Sequence, residues 1–204
     1  MRSRGCEARS GGRRSRSGFF LLSFLFSLLA LVLLAGCERP GGTFAADPSL
    51  PVGTETGNRA PPLVGTLAAG ERFQLEPDRR SRATVLVFYR GLHCGLCRER
   101  LRELEAHRGA YADAGARVFA VTLDSPEEAA RTPQQLNLGF PVVRVDSAAF
   151  AEWGVLDTDS GVALPASVLL DQQGVIRYRH VGRNAADRAR DIELLAALQS
   201  LLAE

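Results

Sequence analysis

Lysine is absent from all 204 residues; the strongly basic side chains are 25 arginines. Without a lysine amine the chain forms no side-chain Schiff base and builds no phosphate-binding loop of the kind that relies on lysine. Neither G-x-x-x-x-G-K-[ST] nor H-E-x-x-H occurs. Cysteine is scarce as well. Cys6, Cys37, Cys94 and Cys97 are too few for a disulfide-stapled scaffold, so each is read by its position. A dominant charge of one sign is also missing, since the 25 arginines meet 23 acids for a net +2. That figure hides two parts. Residues 1–36 hold six arginines and one acid, whereas the other 168 residues hold 19 arginines against 22 acids, a net −3. No basic face is rich enough to suggest nucleic-acid binding. What remains, 46% hydrophobic and 24% charged residues, suits one globular domain with appendages.

The amino terminus reads as an address followed by a tether. Residues 1–18 are polar and arginine-rich, and residues 19–35 form an apolar run interrupted only by Ser23 and Ser27. A basic flank before an apolar run is the pattern of a secretory signal, with the positive end left in the cytoplasm. Leu34-Ala35-Gly36-Cys37 resembles the lipobox of bacterial lipoproteins. Residues 1–36 are therefore expected to be a lipoprotein signal peptide, with Cys37 lipidated as the first mature residue. Several acyl chains on one residue anchor stably where a single chain does not. An uncleaved signal anchor is the alternative, and it gives the same compartment: the bacterial cell envelope, facing outward from the cytoplasmic membrane. Residues 37–58, low in large apolar side chains and rich in Gly, Pro, Thr and Ser, read as a flexible tether.

Residues 59–204 read as the folded domain. An extended stretch follows Pro61-Pro62, and residues 72–75 alternate as an edge strand does. Residues 84–89 and 116–123 are apolar, β-branched runs expected as strands buried on both faces. A helix is expected from Gly95 to about Ala114, with Cys97, Leu101, Leu104 and Tyr111 along its apolar stripe. Ser125-Pro126-Glu127-Glu128 is a helix start: an N-cap, a first-turn proline and first-turn acids. Strands are expected at 141–145, 165–170 and 175–181, with a short helix through Phe150 and Trp153. The last helix, 189–202, carries Ile192, Leu195, Leu198 and Leu202. The alternation ends in a hairpin, so the fold class is α/β with a mixed central sheet flanked by helices.

The chemistry lies in Phe88-Tyr89-Arg90-Gly91-Leu92-His93-Cys94-Gly95-Leu96-Cys97-Arg98. A C-x-x-C pair falls between a strand and the helix after it. Free N–H groups and partial positive charge at a helix start stabilise a thiolate, and two cysteines three apart can close a disulfide within one turn. Arg90, His93 and Arg98 add positive character. Zinc would need about four ligands, and a single C-x-x-C pair does not supply them; His93, His107 and His180 repeat no metal-finger spacing. His93 reads first as a polar loop residue and second as a base, and His180 as a structural or solvent-facing residue.

Three stretches resemble the peroxiredoxin-like alkyl hydroperoxide reductase/thiol-specific antioxidant (AhpC/TSA) family. They are residues 85–97 (Val85-Leu86-Val87-Phe88-Tyr89-Arg90-Gly91 through Cys97), 164–177 (Leu164-Pro165-Ala166-Ser167 through Arg177) and 180–184 (His180-Val181-Gly182-Arg183-Asn184). The resemblance spans about residues 60–203 and implies a thioredoxin-like fold. Peroxidatic members of the family carry P-x-x-x-T-x-x-C. Laid on this chain, that pattern puts the peroxidatic cysteine at Cys97, but Cys94 holds the threonine position and Arg90 the proline position. The arginine such members bring before the fourth strand is replaced by Pro165. Cys94 with Cys97 facing Pro165 instead resembles the thiol–disulfide oxidoreductases of this fold, in which the proline is cis and exposes a backbone edge, here at Leu164. Their usual tryptophan before the first cysteine is His93 here, and their buried acid on the preceding strand is absent, its place being about Phe88.

The resemblance therefore implies a membrane-tethered, extracytoplasmic thiol–disulfide oxidoreductase. Cys94 would attack and Cys97 would resolve, with no cofactor or metal. The expected partners are a protein disulfide or thiol, an electron donor, and the membrane through the lipid anchor. Two rival readings are a thiol peroxidase using Cys97 on a hydroperoxide, and a copper-handling protein, since soft thiolates suit Cu(I).

Overall fold

A computed structural model describes residues 52–204. The expected signal peptide, Cys6, Cys37 and the tether up to residue 51 lie outside the described residues. Strands β1 (Val64–Leu67), β2 (Arg72–Gln74), β3 (Ala83–Tyr89), β4 (Ala116–Thr122), β5 (Val142–Arg144), β8 (Ala166–Asp171) and β9 (Ile176–Val181) form one sheet in the order β2-β1-β5-β4-β3-β8-β9. The central strands β3, β4 and β5 are parallel, and the outer pairings are antiparallel. Strands β6 (Leu156–Asp157) and β7 (Val162–Ala163) make a separate small hairpin.

All seven residues of β3 are buried, as a strand covered on both faces requires. Its side chains alternate between two cores. Val85, Val87 and Tyr89 join Leu101, Leu104, Tyr111, Leu194 and Leu198 on one face. Leu86 and Phe88 join Phe150, Trp153 and Val168 on the other. The first face is thus covered by helices α1 (Gly95–Ala106), α2 (Arg108–Asp113) and α5 (Asp191–Ala203). The second is covered by α4 (Ser147–Glu152) and the chain that follows it. Helix α3 (Pro126–Leu136) starts at Ser125, whose side chain accepts from Glu128 N.

Three features differ from the sequence reading, and one agrees with it. The helix expected over 95–114 is two helices, interrupted at His107, whose Nδ1 lies 2.6 Å from a carboxylate oxygen of Asp191. The extended stretch expected after Pro61-Pro62 is β1, half exposed and paired with β2 and β5. On α5 the buried residues are Asp191, Leu194 and Leu198, while Ile192 is 69% exposed. Finally, residues 52–58, read as the end of the tether, are held on the domain. Gly53 N donates to Arg59 O, Gly57 N to Ile176 O, and Ile176 N to Asn58 O. These bonds satisfy backbone groups that composition alone would leave to water.

Candidate active site

Strand β3 delivers the chain to a four-residue loop, Arg90 to His93, and Cys94 caps α1. Gly91 has φ +147°, in the region that favours glycine. A Cβ there would meet Asp124 Oδ1 at 2.4 Å and the His93 ring at 2.7 Å, so the loop closes only around glycine. Leu92 N donates to Asp124 Oδ2 at 2.9 Å, Cys94 N to Gly91 O at 3.1 Å, and Arg98 Nη1 to Leu92 O at 3.0 Å. Three separate bonds therefore fix the turn that presents Cys94.

The two thiols differ in environment. Cys94 is half-buried, and its Sγ accepts from Cys97 N at 3.4 Å, the capping geometry of a helix start. Cys97 is 2% exposed and packs in the core with Leu101 and Val87. Partial burial pushes the Cys94 thiol up, but hydrogen bonds from Cys97 and the charges of Arg188 and Arg90 outweigh it, so its pKa lies below the ordinary thiol value. Burial, then the hydrogen bond with Cys94, pushes the Cys97 thiol up to about 11. Proton loss is thus easiest at the more accessible sulfur.

Pro165 immediately precedes β8 and lines a small cavity with Cys97, Tyr89, Arg100, Ser167 and Arg188. Its volume of about 10 Å³ is room for roughly one water. Pro165 O accepts from Gly182 N at 2.8 Å, which brings the segment after β9 against the same wall. His93 is exposed, with its ring against Gly91, and Arg98 is engaged with the Leu92 carbonyl. Phe88 is buried against Phe150 and Trp153, ring centroids 5.4 Å away in each case. Among the described residues no three His, Cys, Asp or Glu side chains are grouped as a metal would need.

Two residues at the site were missed in the sequence. Asp124 is 6% exposed, and burial raises its pKa even though Leu92 N–H holds its carboxylate. The sequence signal available was an acid at the carboxyl end of a buried strand beside β3. Arg188 comes from the segment between β9 and α5, and nothing in its local sequence announces it.

The family model of the AhpC/TSA family matches residues 56–179. The chain is similar to the thioredoxin-like protein YneN of Bacillus subtilis, 28% identical over 135 residues that cover 64% of this chain and 74% of the relative. Among solved structures it is similar to the peroxidoxin BcpB of Mycobacterium tuberculosis, with TM-score 0.64 and 16% identity over 72% of this chain and 97% of that one. It is likewise similar to the bacterioferritin comigratory protein of Xanthomonas campestris, with TM-score 0.60 and 20% identity over 69% of this chain and 92% of that one. These two structures share the fold. With a family match over more than half its length and a thioredoxin-like mixed sheet presenting a C-x-x-C pair at a helix start, the chain belongs to the AhpC/TSA family of thiol-based redox enzymes.

Proposed function

We propose that the protein is a thiol–disulfide oxidoreductase acting outside the cytoplasm from a membrane tether. The observation that carries the chemistry is the asymmetry of the pair: Cys94 is accessible and easily deprotonated, and Cys97 is buried with its thiol held protonated. In the proposed cycle the Cys94 thiolate attacks one sulfur of a substrate disulfide, joining it in a mixed disulfide and expelling the other sulfur as a thiolate. Cys97 then loses its proton, attacks Cys94 Sγ and expels the second substrate sulfur. The substrate disulfide is reduced to two thiols while the enzyme dithiol becomes the Cys94–Cys97 disulfide. A thiol electron donor resets it, and the reverse sequence oxidises a dithiol substrate. The C-x-x-C spacing, with Pro165 beside Cys97, favours this reading over a peroxidase, in which Cys97 would be the attacking sulfur.

The tether rests on sequence: the apolar run at 19–35 after an arginine-rich start, ending at Leu34-Ala35-Gly36-Cys37. Its test is incorporation of labelled fatty acid in wild type and its loss in Cys37→Ser.

For the chemistry, the reduced full chain is mixed separately with a disulfide peptide and with hydrogen peroxide, with thiol loss mapped by mass. Fast exchange with the peptide, abolished in Cys94→Ser and halted as a mixed disulfide in Cys97→Ser, is the expected result. Fast peroxide consumption that survives Cys94→Ser but not Cys97→Ser would replace it with the peroxidase reading.

A further inference from the structure

We propose that Arg188 is a positioning and charge-supplying residue of the C-x-x-C site, bridging the turn at Leu96 to the segment that precedes α5. The inference rests on the oxidoreductase reading above for what the thiolate does, but not for the bridge itself.

The geometry is specific. Arg188 Nη1 donates to Leu96 O, the carbonyl between the two cysteines, and Nη2 donates to Ala185 O in its own segment. One planar guanidinium thus clamps the first turn of α1 to the chain after β9, using the fork that distinguishes arginine from lysine. The same side chain lines the cavity shared by Cys97 and Pro165.

Among the described residues no acid answers the charge of Arg188. Both of its acceptors are neutral carbonyls, and its Nε is buried without a hydrogen-bond partner among the described residues. The nearby acids are engaged elsewhere: Asp187 with Arg183 and His180, and Asp191 with Arg100 and His107. A half-buried cation without a carboxylate is costly unless another anion answers it. The anion this site can form is the Cys94 thiolate, and Arg188 is the foremost charge favouring it, ahead of Arg90. The other titratable or charged groups about the turn are His93 on the loop, Arg98 and Arg100 on α1, and Asp124 just after β4. Arg98 and Arg100 are bonded to Leu92 O and Asp191, and Asp124 holds Leu92 N.

The bridge also bears on redox poise. A cation that stabilises the thiolate favours the reduced pair, because neither disulfide sulfur is charged. Removing it should make the disulfide harder to reduce.

The test uses the reduced full chain, with iodoacetamide labelling of Cys94 followed against pH by peptide mass, and with the dithiol–disulfide equilibrium measured in glutathione buffers. In Arg188→Met, which keeps the apolar stem, the labelling midpoint should rise by about half to one pH unit. Below the midpoint, that is a roughly three- to tenfold loss of thiolate. The disulfide should be favoured over wild type by a similar factor, and Arg188→Lys should recover part of both effects. Arg183→Gln, at an exposed and paired neighbour, should change neither. A midpoint and equilibrium equal to wild type in a folded Arg188→Met overturn the proposal. So does failure of both Arg188 variants to fold, which would make the bridge structural only. If peptide exchange instead runs through Cys97, the oxidoreductase assignment fails while these two readouts still decide the role of Arg188.

Discussion

At the residue scale the site depends on what each atom must be bonded to. Asp124 shows this with the sign of its titration. Its pKa is raised in the fold, burial being the chief cause, so the folded chain holds a proton that the unfolded chain releases near the ordinary carboxyl value of 3.8. The stability linked to that proton is fully present below 3.8 and is lost as pH rises through the folded value. Asp124→Asn keeps an oxygen for Leu92 N–H and carries no charge. It should match or exceed wild-type stability at neutral pH, with the difference shrinking as pH falls through the carboxyl range in thermal unfolding. Asp124→Ala leaves the buried Leu92 N–H without an acceptor and should cost about 1–3 kcal/mol by urea unfolding. Gly91→Ala forces a Cβ against Asp124 Oδ1 at positive φ, and should cost about 1–3 kcal/mol and slow labelling of Cys94.

At the scale of elements, one buried carboxylate joins three helices. Asp191, at the start of α5, accepts from Tyr111 Oη at 2.7 Å and from Arg100 Nη1 at 3.0 Å, and lies 2.6 Å from His107 Nδ1. Arg100 is on α1, Tyr111 on α2, and His107 is the residue between them. The interruption of the helix at His107 therefore accompanies a contact that a hydrophobic period cannot report. Asp191→Ala strands the buried Arg100 guanidinium with, among the described residues, Glu103 as its remaining counter-charge, and should cost about 3 kcal/mol or more in denaturant unfolding. Ile192→Ser, one residue along and 69% exposed, should change stability by less than about 0.5 kcal/mol. The contrast tests which face of α5 is buried, and it reverses the assignment that periodicity made for Ile192.

At the scale of the molecule, the mixed sheet places its chemistry where β3 ends and α1 begins, with Pro165 at the entry to the neighbouring β8. The fold then adds long-range ties to the segment before residue 59. Residues 52–58 close onto Ile176 and Arg59 through three backbone bonds. A chain starting at residue 59 should be less stable than one starting at residue 52 by about 1–4 kcal/mol, read as a lower unfolding midpoint in urea.

Elements whose signals are local were legible from the amino-acid order alone. The buried runs of β3 and β4, the Ser125 helix start and the C-x-x-C turn each draw on a period, a cap or a spacing that neighbouring residues fix. The same holds for the mixed sheet, since alternating strands and helices followed by a hairpin admit few arrangements. The extended stretch after Pro61-Pro62 was legible as β1, but its place between β2 and β5 was not, because pairing decides it. The partition of the two thiols into an accessible and a buried sulfur was decided by tertiary packing. So were the buried Asp124, the Asp191 network and the arrival of Arg188 from 92 residues beyond Leu96. Each of these depends on which distant groups share a desolvated space, and the free energy of a charge or thiol there is set by neighbours that the chain's local order does not name.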